Sequence, residues 1–141
     1  MRKRTQAREL ALQILYQLDL RGDEILDEVS AMLAPGTGDP EMTDFAREIV
    51  FGFRDKKAII DRQIEEVAKN WQLKRMAAID RNILRLATYE LLYREDIPPL
   101  VTINEAIDIA KKFSTKNSGP FVNGILDNIR LRAAPPGKQR K

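Results

Sequence analysis

The first eight residues, MRKRTQAR, combine four basic side chains with no acidic one. Arg4 and Arg8 stand four positions apart, so on a helix they project from the same side. The planar guanidinium group of arginine can bind two oxygens of one phosphate at once, and Arg2 and Lys3 add charge beside that pair. This pattern favours a phosphate-binding arm over residues 1–8. The alternative is a frayed, solvated terminus that carries a few charges.

A second group of residues suited to nucleic acid lies in the segment KNSGPF, which holds Lys116, Asn117, Ser118 and Phe121. Amide and hydroxyl groups can hydrogen-bond to base edges, and an aromatic ring can stack on a base. This mixture is typical of proteins that read single-stranded RNA. Two of the residues have another explanation, because Ser118 suits the N-cap of a helix and Phe121 suits a hydrophobic core.

Arg81 and Arg85 form a third basic set on the longest helical pattern of the chain. Ion pairing on a helix surface is the usual explanation for such residues, and RNA binding is the alternative. Glu90 lies seven positions after Ile83, on the apolar stripe of the same helix. A buried carboxylate is costly without a partner, so we expect a structural hydrogen bond or ion pair there.

Sequence signals of catalysis are weak. The chain has no cysteine and no histidine, so it lacks the usual zinc ligands and the commonest nucleophile and base pairs. It has no glycine-rich phosphate loop either. We therefore predict no enzymatic activity, no cofactor and no metal. No apolar run approaches the roughly 20 residues of a membrane span, and no signal peptide is apparent, so we expect a cytoplasmic protein without a membrane partner.

Charge is distributed unevenly along the chain. Residues 1–8 and 134–141 carry seven of the 24 basic residues and none of the 21 acidic ones. The 17 basic and 21 acidic residues of positions 9–133 leave that body with a net charge of −4. A polyanionic partner should therefore meet the N-terminal arm and the basic residues that fold beside it.

Apolar residues recur at intervals of three and four through most of the sequence, and no convincing alternating strand pair interrupts them. The pattern predicts an all-α fold of about seven helices. Gly22 should end the first helix, a second short helix fits residues 24–33, and the segment APGTGDPE should form a loop. Side-chain type predicts helix caps at Thr43 or Asp44, at Asp55, at Thr102 with Glu105, and at Ser118.

The 141 residues are enough for one domain with its own core. The segment WQLKRMAA interrupts two strongly periodic stretches. We therefore predict an N-terminal helical subdomain to about residue 72, a C-terminal one over about 76–132, and a basic tail over 134–141. The first residue of this segment, Trp71, still keeps the helical spacing of Ile64 and Val67.

Three segments together resemble the NusB family of bacterial transcription antitermination factors. They are ARELALQILYQ with its basic lead, IDRNILRLATYELLYREDIPPLVTINEAIDIAKKF, and NSGPFVNGILDNI. The resemblance implies an all-helical RNA-binding protein of two subdomains. Members of this family bind the boxA element of leader and ribosomal RNA transcripts and pair with NusE, a protein of the small ribosomal subunit. The pair helps to assemble an antitermination complex on RNA polymerase.

By position, the resemblance implies RNA contacts in two parts of the chain. Arg4 and Arg8 match the basic lead of the family. Asn117, Ser118 and Phe121 fall where the last loop of the family meets RNA. On this view the opening stretch is an RNA-binding arm that continues into the first helix, which keeps its cations oriented.

The resemblance also implies a protein surface. Tyr16 matches an aromatic residue near the junction of the RNA and protein surfaces. Asp80, Arg81 and Arg85 fall on the central helix that serves both partners. We expect NusE to dock on a surface that includes Tyr16 and Asp80, because the acidic body suits a basic ribosomal protein.

The sequence departs from the family pattern at Thr5, Gln6 and Pro120, where relatives often carry basic residues, and this lowers the expected RNA affinity.

Two other functions are compatible with these sequence features. The fold also occurs as the RNA-binding domain of some ribosomal RNA cytosine methyltransferases, which need a further cofactor-binding domain. A protein-interaction module would bind no RNA. Some relatives self-associate, so a homodimer is a further alternative.

Overall fold

The computed structural model describes residues 2–139 and the side chains of residues 3–138. Arg140, Lys141 and the Arg2 side chain, which belong to the predicted basic ends, lie outside the described residues. The described part of the chain has no β-strand, which confirms the all-α fold. Its α-helices are α1 (Arg2–Arg21), α2 (Leu26–Met32), α3 (Pro40–Asp55), α4 (Lys57–Val67), α5 (Ala78–Tyr93), α6 (Pro99–Phe113), α7 (Ser118–Ala133) and the short α8 (Pro136–Gln139).

Helix α5 lies at the centre of the fold. It packs against α1, α3, α4, α6 and α7, and α1 also packs along α3. Residues 82–91 of α5 are all buried, so this helix has no solvent-facing side over that stretch. The buried apolar side chains of the helices form one connected cluster, which fixes the elements relative to one another.

The end of α1 and the short segment after it match the sequence pattern. Gly22 follows Arg21 with a φ of 76°, in the left-handed region that glycine adopts at little cost. The chain then forms a 3-10 turn over Gly22–Ile25 that leads into α2. The predicted helix over residues 24–33 is therefore present as these two short elements.

The cap of α3 is earlier than predicted. Asp39 is the N-cap, and its Oδ1 atom accepts a hydrogen bond of 2.9 Å from the backbone N–H of Glu41. Pro40 occupies the first helical position, where its missing N–H costs nothing. Thr43 and Asp44 consequently lie inside α3. An aspartate followed by a proline is a stronger signal for the start of a helix than Thr43 or Asp44. The predicted loop APGTGDPE includes both Asp39 and Pro40, so the predicted start of α3 is too late.

The predicted caps at Asp55 and at Thr102 with Glu105 are also wrong. Asp55 is the last residue of α3, and α4 begins at Lys57 without a side-chain cap. Thr102 and Glu105 lie within α6, which begins at Pro99. Their spacing fits a capping box, but their side chains contact residues of α1 and α5 instead. A local motif cannot reveal such a long-range partner.

Trp71 is not on a helix and does not enter the core. Helix α4 ends at Val67, and the Trp71 side chain is 55% exposed. The helical spacing of the apolar stripe continues to Trp71, but the backbone leaves the helix before that position. Periodicity alone does not reveal the residue at which a helix ends.

The C-terminal tail caps the end of α5. The Nζ atom of Lys138 donates hydrogen bonds of 2.9 and 2.6 Å to the backbone carbonyl oxygens of Glu90 and Arg94. These carbonyl groups lie at the helix terminus, where a cation is favourable. Burial lowers the pKa of Lys138 below its ordinary value. The ammonium group of Lys138, one of the cations of the basic tail, is therefore bound to the protein itself.

Candidate nucleic-acid interface

The predicted arm is the beginning of α1 and has no separate linker. The Nζ atom of Lys3 lies 2.8 Å from Asp39 Oδ2 and 3.8 Å from Glu41 Oε1. The hydrogen bond and charge of Asp39 raise the pKa of Lys3. Because the Lys3 side chain is 52% exposed, water weakens this pair, and a phosphate can replace the carboxylate.

Arg4 keeps its donors available on the same helix. Its guanidinium carbon lies 4.7 Å from the centroid of the Phe45 ring, in a cation–π contact. Within residues 3–138 its guanidinium forms no ion pair. Arg4 is partly exposed, so its outer nitrogen atoms can contact a phosphate while Phe45 supports the inner face.

Arg8 does not face solvent, which corrects its expected role as a phosphate ligand. Its side chain is 1% exposed, and its Nε and Nη2 atoms donate to the two carboxylate oxygens of Glu90 at 2.7 and 2.9 Å. Its Nη1 atom donates to Glu105 Oε1 at 3.1 Å. Burial lowers the pKa of Arg8, but the hydrogen bond and charge of Glu90 outweigh it, so the net pKa is raised.

The same cluster confirms the expectation for Glu90. Its carboxylate is fully buried, and it accepts hydrogen bonds from Arg8 and from the Thr102 hydroxyl group, the latter at 2.9 Å. Three helices, α1, α5 and α6, are joined at this point. A buried carboxylate with this many donors is a structural group and leaves no oxygen for chemistry.

Arg81 and Arg85 are also held inside the protein, so the RNA-binding role expected for them is corrected to ion pairing. Arg81 Nη2 lies 2.7 Å from Asp19 Oδ2. Arg85 contacts both carboxylate oxygens of Asp61, with distances of 2.9 and 3.0 Å, and is only 7% exposed in its side chain. The two arginines thus tie α5 to α1 and α4.

Asp80 joins α5 to the last loop. Its Oδ1 atom accepts a 2.7 Å hydrogen bond from Ser114 Oγ, and its Oδ2 atom accepts a 3.0 Å bond from Ser118 Oγ. Ser118 is buried, so it positions the start of α7 and does not reach a base edge. It is not a cap either, because α7 has Asn117 at the N-cap position without a side-chain cap bond.

An open cleft of about 410 Å³ lies between residues 71–77 and the start of α7. Trp71 and Phe121 form its aromatic part, with ring centroids 5.7 Å apart and an interplanar angle of 75°. Asn117 and Arg75 also line the cleft. The expected combination of an aromatic ring and an amide is therefore brought together here, with a tryptophan and an arginine added.

Three cations lie in or next to the segments that form the cleft. Arg75 lines the cleft itself, together with the carboxylate of Asp80, whereas Lys116 adjoins the lining residue Asn117 in sequence and Lys74 lines a neighbouring depression. Lys74, Arg75 and Lys116 are all exposed, and across residues 3–138 no carboxylate pairs with any of them. Lys3, in contrast, is already paired, and Arg8 is buried. Across residues 3–138, Arg62, Lys69 and Lys111 are also exposed and have no carboxylate partner, so unpaired positive charge is present beside the cleft and at Arg4 but is not confined to them.

Trp71 and Arg75 are the candidate residues that the sequence pattern did not identify. Trp71 continues the apolar stripe of the preceding helix in the sequence, and Arg75 stands in the segment WQLKRMAA that is predicted to separate the subdomains. The signal that could have found them is the composition of KNWQLKR, in which one aromatic residue stands among three basic ones. Aromatic and basic residues interleaved in this way are typical of single-strand binding surfaces.

A second depression lies beside α1 and α2 and is mostly apolar. It has a volume of about 370 Å³, and Tyr16, Met32, Ile79 and Phe113 contribute to its wall. Ile79 precedes Asp80 on α5, so this groove and the aromatic cleft approach each other along the first turn of that helix. Tyr16 and Asp80 thus lie at two neighbouring depressions.

Metal-ion sites and membrane-spanning helices are both absent from the described residues. No group of three or more histidine, cysteine, aspartate or glutamate side chains there could hold a metal ion. None of the described helices is both long enough and apolar enough to cross a membrane.

Comparison with known proteins identifies the family. The NusB family model matches residues 5–130. The transcription antitermination protein NusB of Geotalea daltonii is 49% identical over 138 residues, which cover 92% of this chain and 94% of that protein. The NusB protein of Desulfitobacterium hafniense is 47% identical over 125 residues, with 87% and 84% covered.

Solved structures agree with the sequence relatives. A structure of T. maritima NusB has a TM-score of 0.87 and 43% identity, and the match covers 96% of this chain and 95% of that one. A structure of antitermination factors NusB and NusE in complex with dsRNA has a TM-score of 0.78 and 30% identity, with 92% and 96% covered. The protein belongs to the NusB family.

Proposed function

We propose that this protein is a transcription antitermination factor that binds boxA-like single-stranded RNA together with NusE. It helps to assemble an antitermination complex on RNA polymerase in the cytoplasm, notably during ribosomal RNA transcription, and it catalyses no reaction. Family membership supports this function. The observation that carries it is the aromatic cleft of Trp71 and Phe121, which the unpaired Arg75 lines and which the exposed Lys116 adjoins in sequence.

RNA binding divides into a positioning part and a reading part. The positioning residues are cations that contact phosphates in any sequence. They are the accessible residues Lys3, Arg4, Lys74, Arg75 and Lys116, together with Arg2 of the predicted basic arm. The reading residues are Asn117 and Phe121, which border the cleft and can contact bases. The buried arginines do not contact RNA themselves. They hold the helices that carry these residues.

NusE docks on the surface that includes Tyr16 and Asp80. The groove beside Tyr16 offers apolar area, and the body of the chain is acidic, which suits a basic ribosomal protein. In the absence of NusE, the same apolar groove is the surface through which two copies would associate. Dimer formation and NusE binding should therefore compete.

RNA binding with and without NusE tests the function. A boxA-like RNA should bind more tightly than a scrambled RNA, and its affinity should fall with rising salt. Lys116→Gln should weaken both RNAs similarly and reduce the salt slope by about 1, because one phosphate contact is lost. Lys57→Gln is the matched control, because Lys57 is an exposed lysine at the start of α4 that belongs neither to the N-terminal arm nor to the lining of the aromatic cleft.

Two outcomes would contradict the proposal. If the native protein with NusE binds scrambled and boxA-like RNA equally well, it does not read boxA. If it binds NusE but shows no salt-dependent RNA affinity, it is a protein-interaction module. Filter binding measures the RNA affinities, and calorimetry measures the affinity for NusE.

A further inference from the structure

The exposure of Trp71 is not the result of a loose segment. Leu73 and Met76, which follow it, are only 5% and 6% exposed, so they anchor the segment in the core. The Nη1 atom of Arg81 donates hydrogen bonds of 3.1 Å to the backbone carbonyl oxygens of both residues. The indole ring is therefore presented to solvent by a backbone that is held in place.

The opposite wall of the cleft is equally fixed. Ser118 is bound to Asp80 at 3.0 Å and also lies 2.9 Å from Ser114 Oγ, so the first turn of α7 is tied to α5 and α6. Phe121 projects from that turn and meets Trp71 in an edge-to-face contact. Because both walls are anchored to α5, the distance between the two rings is set before any ligand arrives.

The geometry leaves aromatic surface free for a flat ligand. Trp71 stays 55% exposed although Phe121 contacts it, so the indole retains open area on which a base can stack. Asn117 lines the same cleft and supplies both a donor and an acceptor for a base edge. Arg75 at the rim and Lys116 next to Asn117 supply charge for the phosphates on either side.

We propose that Trp71 is a base-stacking residue: a base of single-stranded RNA stacks on the exposed face of its indole ring, and Phe121 holds that ring in place through the edge-to-face contact. This inference rests on the proposed RNA-binding function and deepens it. The unpaired cations favour a polyanion over a protein segment as the occupant. Arg81, for which RNA binding was the alternative to ion pairing, is a positioning residue in this scheme, because it holds the backbone that carries Trp71.

The tryptophan itself supplies the test, because it is the only one in the chain. Titration of the protein with a boxA-like RNA oligonucleotide should quench the Trp71 fluorescence in step with binding measured by RNA anisotropy. Trp71→Leu keeps apolar volume but removes the stacking surface, so its RNA affinity should fall by about fivefold or more. Trp71→Phe keeps an aromatic ring and should bind within about threefold of the native protein.

The matched control is Leu131→Ala, which removes another exposed apolar side chain, 52% exposed, and should leave RNA affinity unchanged. Thermal unfolding of each variant shows whether it is folded. Phe121→Leu provides a second variant, expected to weaken binding because it removes the ring that holds the indole in place.

Unchanged affinity of Trp71→Leu together with unquenched fluorescence in the native complex would overturn the inference, and the proposed function would still stand. Quenching by NusE but not by RNA would overturn it too, because the cleft would then be a protein surface. If the native protein binds no RNA even with NusE, both proposals fail.

Discussion

The guanidinium groups of Arg4 and Arg8 have different partners although the residues are one helical turn apart. Arg4 lies over the Phe45 ring with its outer nitrogen atoms accessible, whereas Arg8 is bound on three nitrogen atoms by Glu90 and Glu105. Burial decides this difference. A charged residue contributes to RNA binding only when its donors are not already used inside the protein.

The first prediction concerns the buried pair of Arg8 and Glu90. Glu90→Ala should lower the free energy of unfolding by about 3–5 kcal/mol, because it leaves a buried guanidinium with one carboxylate fewer. Glu9→Ala is the control, since it removes the pair with Lys112, whose side chain is 60% exposed, and should cost less than about 1 kcal/mol. Urea denaturation measures both values. Similar costs for the two variants would show that the buried pair is not a special stabilising contact.

The second prediction concerns Asp19 and acid. Burial raises the pKa of this carboxyl group, but hydrogen bonds from Asn82 and Arg81 and the charge of Arg85 outweigh it, so the net pKa is lowered. A carboxyl group with a lowered pKa binds protons more readily in the unfolded chain. Its stabilising contribution is therefore present above about pH 4 and is lost as the pH falls through the folded pKa.

The Asp19→Asn variant should consequently lose less stability than the native protein when the pH is lowered from about 5 to 2. Urea denaturation at a series of pH values measures this difference. Glu66→Gln serves as the control, because it removes only an exposed ion pair with Arg132. If Asp19→Asn and the native protein lose stability in parallel, the Asp19 network does not contribute to acid sensitivity.

At the scale of elements, the contact between α3 and α5 depends on a glycine. A Cβ atom added at Gly52 would lie 2.5 Å from ring atoms of Tyr89, which is too close for any real contact. The Tyr89 ring cannot move aside freely, because it is 8% exposed and its hydroxyl group donates to Glu48 at 3.1 Å. The absence of a side chain at Gly52 thus allows the two helices to approach.

The third prediction follows from that contact. Gly52→Ala should lower the free energy of unfolding by about 1–3 kcal/mol, through overpacking against Tyr89. Gly124→Ala is the matched control within α7, where an added Cβ meets nothing within 4 Å. There the better helix propensity of alanine should stabilise the protein by up to about 1 kcal/mol. Thermal or urea unfolding of the two variants should give shifts of opposite sign, and equal shifts would contradict the contact.

At the scale of the whole molecule, α1 and α5 hold the fold together. Helix α1 packs on α3 and on α5, and the ion pairs of Arg8 and Arg81 connect residues far apart in sequence. The division into two helical subdomains near residue 72 stays a prediction. It does not conflict with cooperative folding, because one apolar cluster runs through helices on both sides of that position.

The fourth prediction is that the protein unfolds in one cooperative transition. Helix content measured by circular dichroism and the fluorescence of Trp71, beside the predicted subdomain boundary, should change with the same midpoint. Helices that share a core cannot lose one part without exposing the other. Two separate midpoints would instead show that the subdomains unfold independently, which would also locate their boundary.

The sequence by itself determined the helical class, the end of α1 at Gly22, the need of Glu90 for a partner, and the resemblance to the NusB family. Each of these depends on local spacing, on a single residue type, or on the cost of burying a charge. The same information proposed Asn117 and Phe121 as neighbours in one functional segment, and the structure places both at one cleft.

Only the tertiary structure decided which cations are available and where Trp71 lies. Arg8 binds Glu90 across 82 positions, and Arg81 binds Asp19 across 62. Such pairs depend on which helix faces meet, and helical periodicity describes one element at a time. The end of α4 before Trp71 is of the same kind, because the chain leaves the helix where Leu73 and Met76 are buried in the core, and that burial is a tertiary contact.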